Sequence, residues 1–207
     1  VVESPKFKFN KNEVKNIENK FKKNLSDLNK FNKKGLIEMF DSTVGANTLL
    51  MPFGGKYNQT PIQTMAAKVY TTEGESETAS LMSYGYDPKI GKKSPFHGGI
   101  YSVLSSISKI VSTGGDYKTI RLSFQEYFES LGSDPKKWAK PFSTLLGALK
   151  VQDEFNLAAI GGKDSMSGTF NDISVPPTLI SFALTTKDYK KIIRLSLGTG
   201  DLWKIIK

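Results

Sequence analysis

The sequence predicts an α+β fold, a mixed sheet packed by helices. Three observations carry this. Apolar runs of strand character, IQTMAAKVYT at 62–71 and TLISFAL at 178–184, are set among stretches with helical spacing. The two kinds follow one another without the strict alternation of a doubly wound sheet. A chain of 207 residues, 38% of them hydrophobic, also has the apolar surface for a real core.

Each element has its own signal. Val14, Ile17, Phe21, Leu25, Leu28 and Phe31 recur at threes and fours, which predicts an amphipathic helix between Glu13 and Phe31 with a lysine-rich solvated face. Residues 35–61 are polar and glycine-rich, and read as short strands and loop. Residues 62–71 suit a strand, and the following stretch to 89 reads as loop into a short strand. Ile100, Val103, Leu104, Ile107, Ile110 and Val111 are spaced for a helix that Gly114 and Gly115 would end. Ser123-Phe-Gln-Glu126 has the form of a capping box, predicting a helix through Tyr127, Phe128 and Leu131. Asp134-Pro135 offers an N-cap and a first-turn proline for another helix, bent or broken at Pro141. Leu157 to Ile160 and Thr178 to Leu184 read as buried strands.

Composition removes several function classes. There is no cysteine and one histidine, His97, so thiolate and histidine-rich metal sites are excluded and any metal must be a hard one held by oxygen. No apolar run is long enough to span a membrane, and no charged-then-apolar leader is seen. The net charge of +9 raises the question of nucleic acid, but +6 of it lies in residues 1–34, with ten lysines against four acids. Aromatic residues there follow the apolar stripe instead of interleaving with the lysines, and arginine is scarce. A solvated basic helix explains this better than a nucleic-acid groove.

The segment AAIGGKDSMSG at 158–168 concentrates polar chemistry at a strand end. It is not a Walker loop, because the position five before Gly162 is Leu157, where that motif needs glycine. Two glycines still let backbone amides approach an anion, Lys163 offers a point charge, Asp164 is a hard ligand for Mg2+, and Ser165 and Ser167 can donate to phosphate oxygens. A solvated glycine-serine turn is the competing explanation.

Five segments resemble phosphoribosylformylglycinamidine synthase of the large single-chain type. They are FDSTVGANTLLMPFGGKY (40–57), SPFHGGIY (94–101), GGDYKTIRLSFQEYF (114–128), AAIGGKDSMSGTF (158–170) and VPPTLISFAL (175–184), in the family's order. The resemblance covers roughly 35–186 and implies a fold like the N-terminal subdomain of aminoimidazole ribonucleotide synthetase. It divides the chain into a basic helical lead-in at 1–34, that subdomain at 35–187, and an unmatched tail at 188–207. It also implies a cytoplasmic, ATP-dependent C–N ligase of purine biosynthesis that takes ammonia from glutamine.

Within that family the chain resembles the N-terminal subdomain of the second half of the synthetase region, so a fragment, inactive alone, is expected. The family's ETHNHP-like catalytic motif and its glutaminase cysteine have no counterpart, and no catalytic residue is assigned. His97 is read as structural. By resemblance, Asp164 is the magnesium ligand, and Gly162, Lys163, Ser165 and Ser167 contact phosphate or substrate of bound ATP or ADP. Asp41, Ser42 and Lys56 are further loop contacts. In some members a helix equivalent to residues 98–111 adds magnesium ligands, but here IYSVLSSISKIV carries no carboxylate, which leaves Asp164 without those partners. The implied partners are the remaining synthetase and glutaminase domains, and for the fragment alone a homodimer through the strands at 62–71 and 178–184. Neither nucleic acid nor membrane is expected as a partner. A stand-alone, catalytically inactive relative serving as a binding or interaction module is the alternative.

Overall fold

The computed structural model describes residues 16–30, 34–39, 47–54 and 57–193. The lead-in helix is shorter than its periodicity suggests. Helix α1 spans Ile17–Leu25, and a separate 3-10 turn, Leu28–Lys30, follows. Its stripe residues Ile17, Phe21, Leu25 and Leu28 are all exposed. A one-turn helix, α2 (Lys34–Ile37), then leads to the hairpin-like pair β1 (Phe53–Gly54) and β2 (Thr60–Pro61).

The main sheet begins with β3 (Thr64–Lys68) and β4 (Thr78–Gly85). The expected short strand after the 70s loop is eight residues long, because Ala79, Leu81, Ser83 and Gly85 alternate inward along it. Asp87-Pro88 then starts a helix missed in the sequence reading, α3 (Pro88–Lys93), with the Asp87 carboxylate accepting from the Lys89 and Ile90 amides. Helix α4 (Pro95–Ser112) follows at once, capped by the Ser94 hydroxyl. It ends ahead of Gly114, whose φ of 93° suits glycine.

The largest correction concerns residues 121–127. The capping-box pattern at Ser123 does not start a helix; Arg121–Tyr127 is strand β5. Ile120, Leu122, Phe124, Glu126 and Phe128 are buried in strict alternation, and this period of two outweighs the local capping signal. Helix α5 (Pro135–Phe155) runs unbroken through a buried Pro141. Its start is the predicted one, with Asp134 accepting from the Lys136 amide.

After α5 comes β6 (Ala159–Lys163). A buried strand was expected at Leu157 to Ile160; Leu157 is buried in the core, but the strand begins at Ala159 and all five of its residues are exposed, because it lies at the sheet edge. The small pair β7 (Thr169–Phe170) and β8 (Ile173–Ser174) precedes the long β9 (Thr178–Asp188), which is the predicted buried strand.

The sheet order is β3-β4-β9-β5-β6. All neighbours are antiparallel except β5 and β6, which are parallel and joined across α5. This mixed sheet with helices on one face is the predicted fold class.

Small residues let α4 lie close on that face. The Ser83 hydroxyl donates to the Ser106 carbonyl, the hydroxyls of Ser106 and Ser181 are 2.9 Å apart, and a side chain at Gly85 would meet the Ser102 carbonyl at 2.0 Å. The core unites Leu81, Val103, Ile110, Leu122, Phe124 and Val151. Burial of each such side chain contributes about 1.5–3 kcal/mol.

The other sheet face is uncovered among the described residues. Met65 and Tyr84 are 41% and 55% exposed, and Met82, Ile180, Phe182 and Leu184 are half-buried. A cleft of about 660 Å³, lined by Met51, Met65, Met82, Tyr84 and Phe182, opens on it.

Candidate functional site

The polar segment 161–167 takes its shape from the strand it ends. Lys163 stands opposite Gln125 in the parallel register, and the ladder continues past β6. The Ser165 amide donates to the Glu126 carbonyl at 3.0 Å, and the Phe128 amide donates to the Ser165 carbonyl at 2.8 Å. This pairing sets Ser165 opposite Tyr127 and Asp164 opposite Glu126.

Successive side chains on a strand point to opposite faces. Lys163 and Ser165 therefore belong to the open face, where the Lys163 ammonium sits 4.3 Å from the centre of the Tyr127 ring. Gly162 and Asp164 belong to the helix-covered face. The Ser165 and Ser167 hydroxyls lie 3.1 Å apart. Lys163, Asp164 and Ser167 are exposed and Ser165 is half-buried. The strand thus brings the five residues into one short segment but divides its lysine from its aspartate across the sheet.

The two glycines differ sharply. A side chain on Gly162 would meet the Phe124 carbonyl at 2.5 Å, so this glycine is needed for β6 to pair closely with β5. At Gly161 nothing lies within 4 Å of an added Cβ. The side of Gly161 on which a side chain would stand is open.

Glu126 is the residue the sequence reading missed here, because it was assigned to a helix cap. It is 6% exposed, and its Oε1 has no hydrogen-bond partner among the described residues. Burial pushes its carboxyl up to about 7, and the charge of Asp164 adds to the effect. The alternation from Ile120 to Phe128 was the signal that could have found it.

The remaining candidates divide cleanly. His97 lies on the first turn of α4, its Nδ1 2.8 Å from the Ser94 hydroxyl and its ring edge-on to Phe96. Asp41, Ser42 and Lys56 lie outside the described residues. No group of three or more histidine, aspartate or glutamate side chains is assembled for a metal among the described residues. A second cleft, lined by Lys92, Lys140, Glu129 and Pro176, has much of its charge consumed internally, since Glu129 pairs with Lys137 and Lys140. No helix among the described residues is long and apolar enough to cross a membrane.

Neither a protein-family model nor a characterised protein matches the chain by sequence. Solved structures do match in shape. PurLQS from Thermotoga maritima superposes with a TM-score of 0.64 at 16% identity over 80% of this chain and 25% of that one. T. maritima PurL complexed with AMPPCP gives 0.64 at 15% identity, covering 83% and 27%. Phosphoribosylformylglycinamidine synthase II from the same organism gives 0.62 at 15% identity, covering 80% and 25%. The chain spans about a quarter of the length of these structures. At such identity the likeness concerns fold: the α+β architecture with a mixed, helix-packed sheet is the aminoimidazole ribonucleotide synthetase-like fold that these proteins share.

Proposed function

We propose that this chain is part of a phosphoribosylformylglycinamidine synthase-like, ATP-dependent C–N ligase of purine biosynthesis. In this reading it contributes a magnesium-phosphate subsite and an interface to the other synthetase and glutaminase domains, and it does not complete the amidation alone. One observation carries the reading. In a fold shared with T. maritima PurL, whose solved forms include complexes with ATP and ADP, the exposed end of β6 gathers Lys163, Asp164, Ser165 and Ser167 beside the open side of Gly161.

The donor set fits hard-ion and phosphate chemistry. Asp164 would hold Mg2+ from the helix-covered side of the strand edge, Lys163 and the two hydroxyls would meet phosphate oxygens from the other side, and Gly162, whose amide faces the free edge, would offer it between them. When bound, Mg2+ offsets phosphate charge. Lys163 is held ready by the Tyr127 ring, on the face that the cleft opens toward.

Titration of the whole chain with Mg-ADP, followed by amide chemical shifts, is expected to move residues 161–167 first. Lys163→Ala and Asp164→Asn should each weaken binding about tenfold, the scale of a charge-assisted contact. Gly161→Ala should leave the melting temperature unchanged, because nothing lies within 4 Å of an added Cβ. Unchanged binding in the Lys163 and Asp164 variants would reduce the segment to a turn.

The open sheet face supplies the interface in this reading. Strand β9 is paired on both sides and β3 is flanked by residues 47–50, so the face, with Phe182, Tyr84 and Met65, is the surface offered to a sister domain or a second copy. Sedimentation of the isolated chain is expected to give about twice 22.9 kDa. Phe182→Asp should return a folded monomer, since Phe182 is only half-buried. A monomeric wild type at high concentration would count against the interface.

A further inference from the structure

Glu126 and Asp164 are cross-strand neighbours. The ladder hydrogen bonds on either side of Ser165 set the register, and alternation puts both carboxyls on the helix-covered face. One of them, Glu126, is buried with an oxygen that finds no donor among the described residues. Such an atom costs stability unless something satisfies it. Lys163, next to Asp164 in sequence, is turned to the other face over Tyr127 and cannot serve. A second carboxylate beside the first makes the need for a positive partner greater.

We propose that Glu126 and Asp164 are joint ligands of one divalent cation of the hard, oxygen-seeking class, Mg2+ or Mn2+. Glu126 supplies from β5 the second carboxylate that α4 does not provide. Two carboxylates are fewer than a protein-only cage requires, and among the described residues no third acid or histidine joins them. This is the pattern of Mg2+ sites, where one or two carboxylates share the ion with water and phosphate oxygens. Only the assignment of phosphate oxygens to the outer positions rests on the function proposed above; the carboxylate pair stands without it.

The test uses the whole chain, stripped with chelator and held at pH 8. Mn2+ binding is measured by electron paramagnetic resonance of the free ion, and amide broadening maps its place. The wild type is expected to bind one Mn2+ per chain and to lose amide signals on both strands, around 125–127 and 163–165. Glu126→Gln and Asp164→Asn should each weaken binding tenfold or more. Melting curves in chelator show whether each variant is folded, and Glu126→Gln should melt no lower than wild type, so its loss of Mn2+ is not unfolding.

Full Mn2+ affinity in Glu126→Gln would overturn the inference, and broadening confined to β6 would do the same. If Asp164→Asn alone lost the ion, Asp164 would act without Glu126, and the phosphate reading of the segment would survive. Inorganic pyrophosphate is titrated in parallel. Glu126-dependent Mn2+ binding with no pyrophosphate shifts at 161–167 would uphold the cation pair and sink the phosphate reading instead.

Discussion

Gly147→Ala is expected to destabilise the fold by about 2–3 kcal/mol, lowering the melting temperature by roughly 5–10 °C for a chain of this size. Helices α4 and α5 cross at two glycines. A Cβ on Gly147 would stand 2.0 Å from the Phe96 carbonyl oxygen, and one on Gly99 would stand 2.2 Å from that of Thr144. Both obstacles are helix backbone, which cannot rotate away as a side chain can. Alanine improves helix propensity by about 1 kcal/mol over glycine, so the clash must exceed that to decide the sign. At 2.0 Å it does, and the helices must separate, opening the core around Val103 and Ala148. Gly99→Ala should behave alike, and the pair should be non-additive because one separation relieves both. Urea denaturation of the three variants is the measurement. An unchanged or raised midpoint for Gly147→Ala would show that the crossing is loose.

Glu126→Gln is expected to change how stability depends on pH. The carboxyl ionises near 7 in the fold and near 4.5 in the unfolded chain. Below 4.5 both states hold the proton and the residue costs nothing by this route. As pH rises from 4.5 the unfolded chain releases its proton first, so stability falls, and it levels off above about 8 at a cost of about 3 kcal/mol. Glutamine keeps the shape and removes the charge. In chelator, the variant should match wild type near pH 4 and exceed it by about 2–3 kcal/mol at pH 8.5, read from urea midpoints at the two values. Parallel pH profiles would mean that the Glu126 charge is already compensated without metal.

Local sequence signals succeed in some elements of this fold and fail in others. Helix α4 was legible because its apolar spacing and its glycine stop agree, although its start at Pro95 lies ahead of the first spaced residue. Asp134-Pro135 placed the start of α5, since a cap and a first-turn proline act within one turn of chain. The chemistry of Asp164 and Lys163 was also legible, as residue types in a glycine-rich segment. Pro141 misled, because a proline past the first turn can be carried when the helix is held by its neighbours.

Strand β5 shows the limit most clearly. Ser123-Phe-Gln-Glu126 satisfies a capping box locally, while Ile120, Leu122, Phe124, Glu126 and Phe128 alternate as a strand does. A few tenths to about 2 kcal/mol from a cap compete with burial of several apolar side chains at about 1.5–3 kcal/mol each. Burial wins, but only once β9 and β6 are present to pair with the strand on both sides. The exposure of β6 is equally nonlocal. Its apolar residues look like a core strand, and nothing within them records that the chain ends the sheet there.

The sequence by itself determined the fold class, the separate helices α4 and α5, the central strand β9 and the exclusion of cysteine and histidine-cluster chemistry, because each depends on composition or on periodicity within one element. Tertiary structure alone decided that Gly99 and Gly147 are contact points between helices, that Asp164 takes the helix-covered face, and that Glu126 stands beside it. The last two depend on register between segments 38 residues apart. Register is set by hydrogen-bond ladders and the burial of whole faces, and neither is written in the order of residues along one strand.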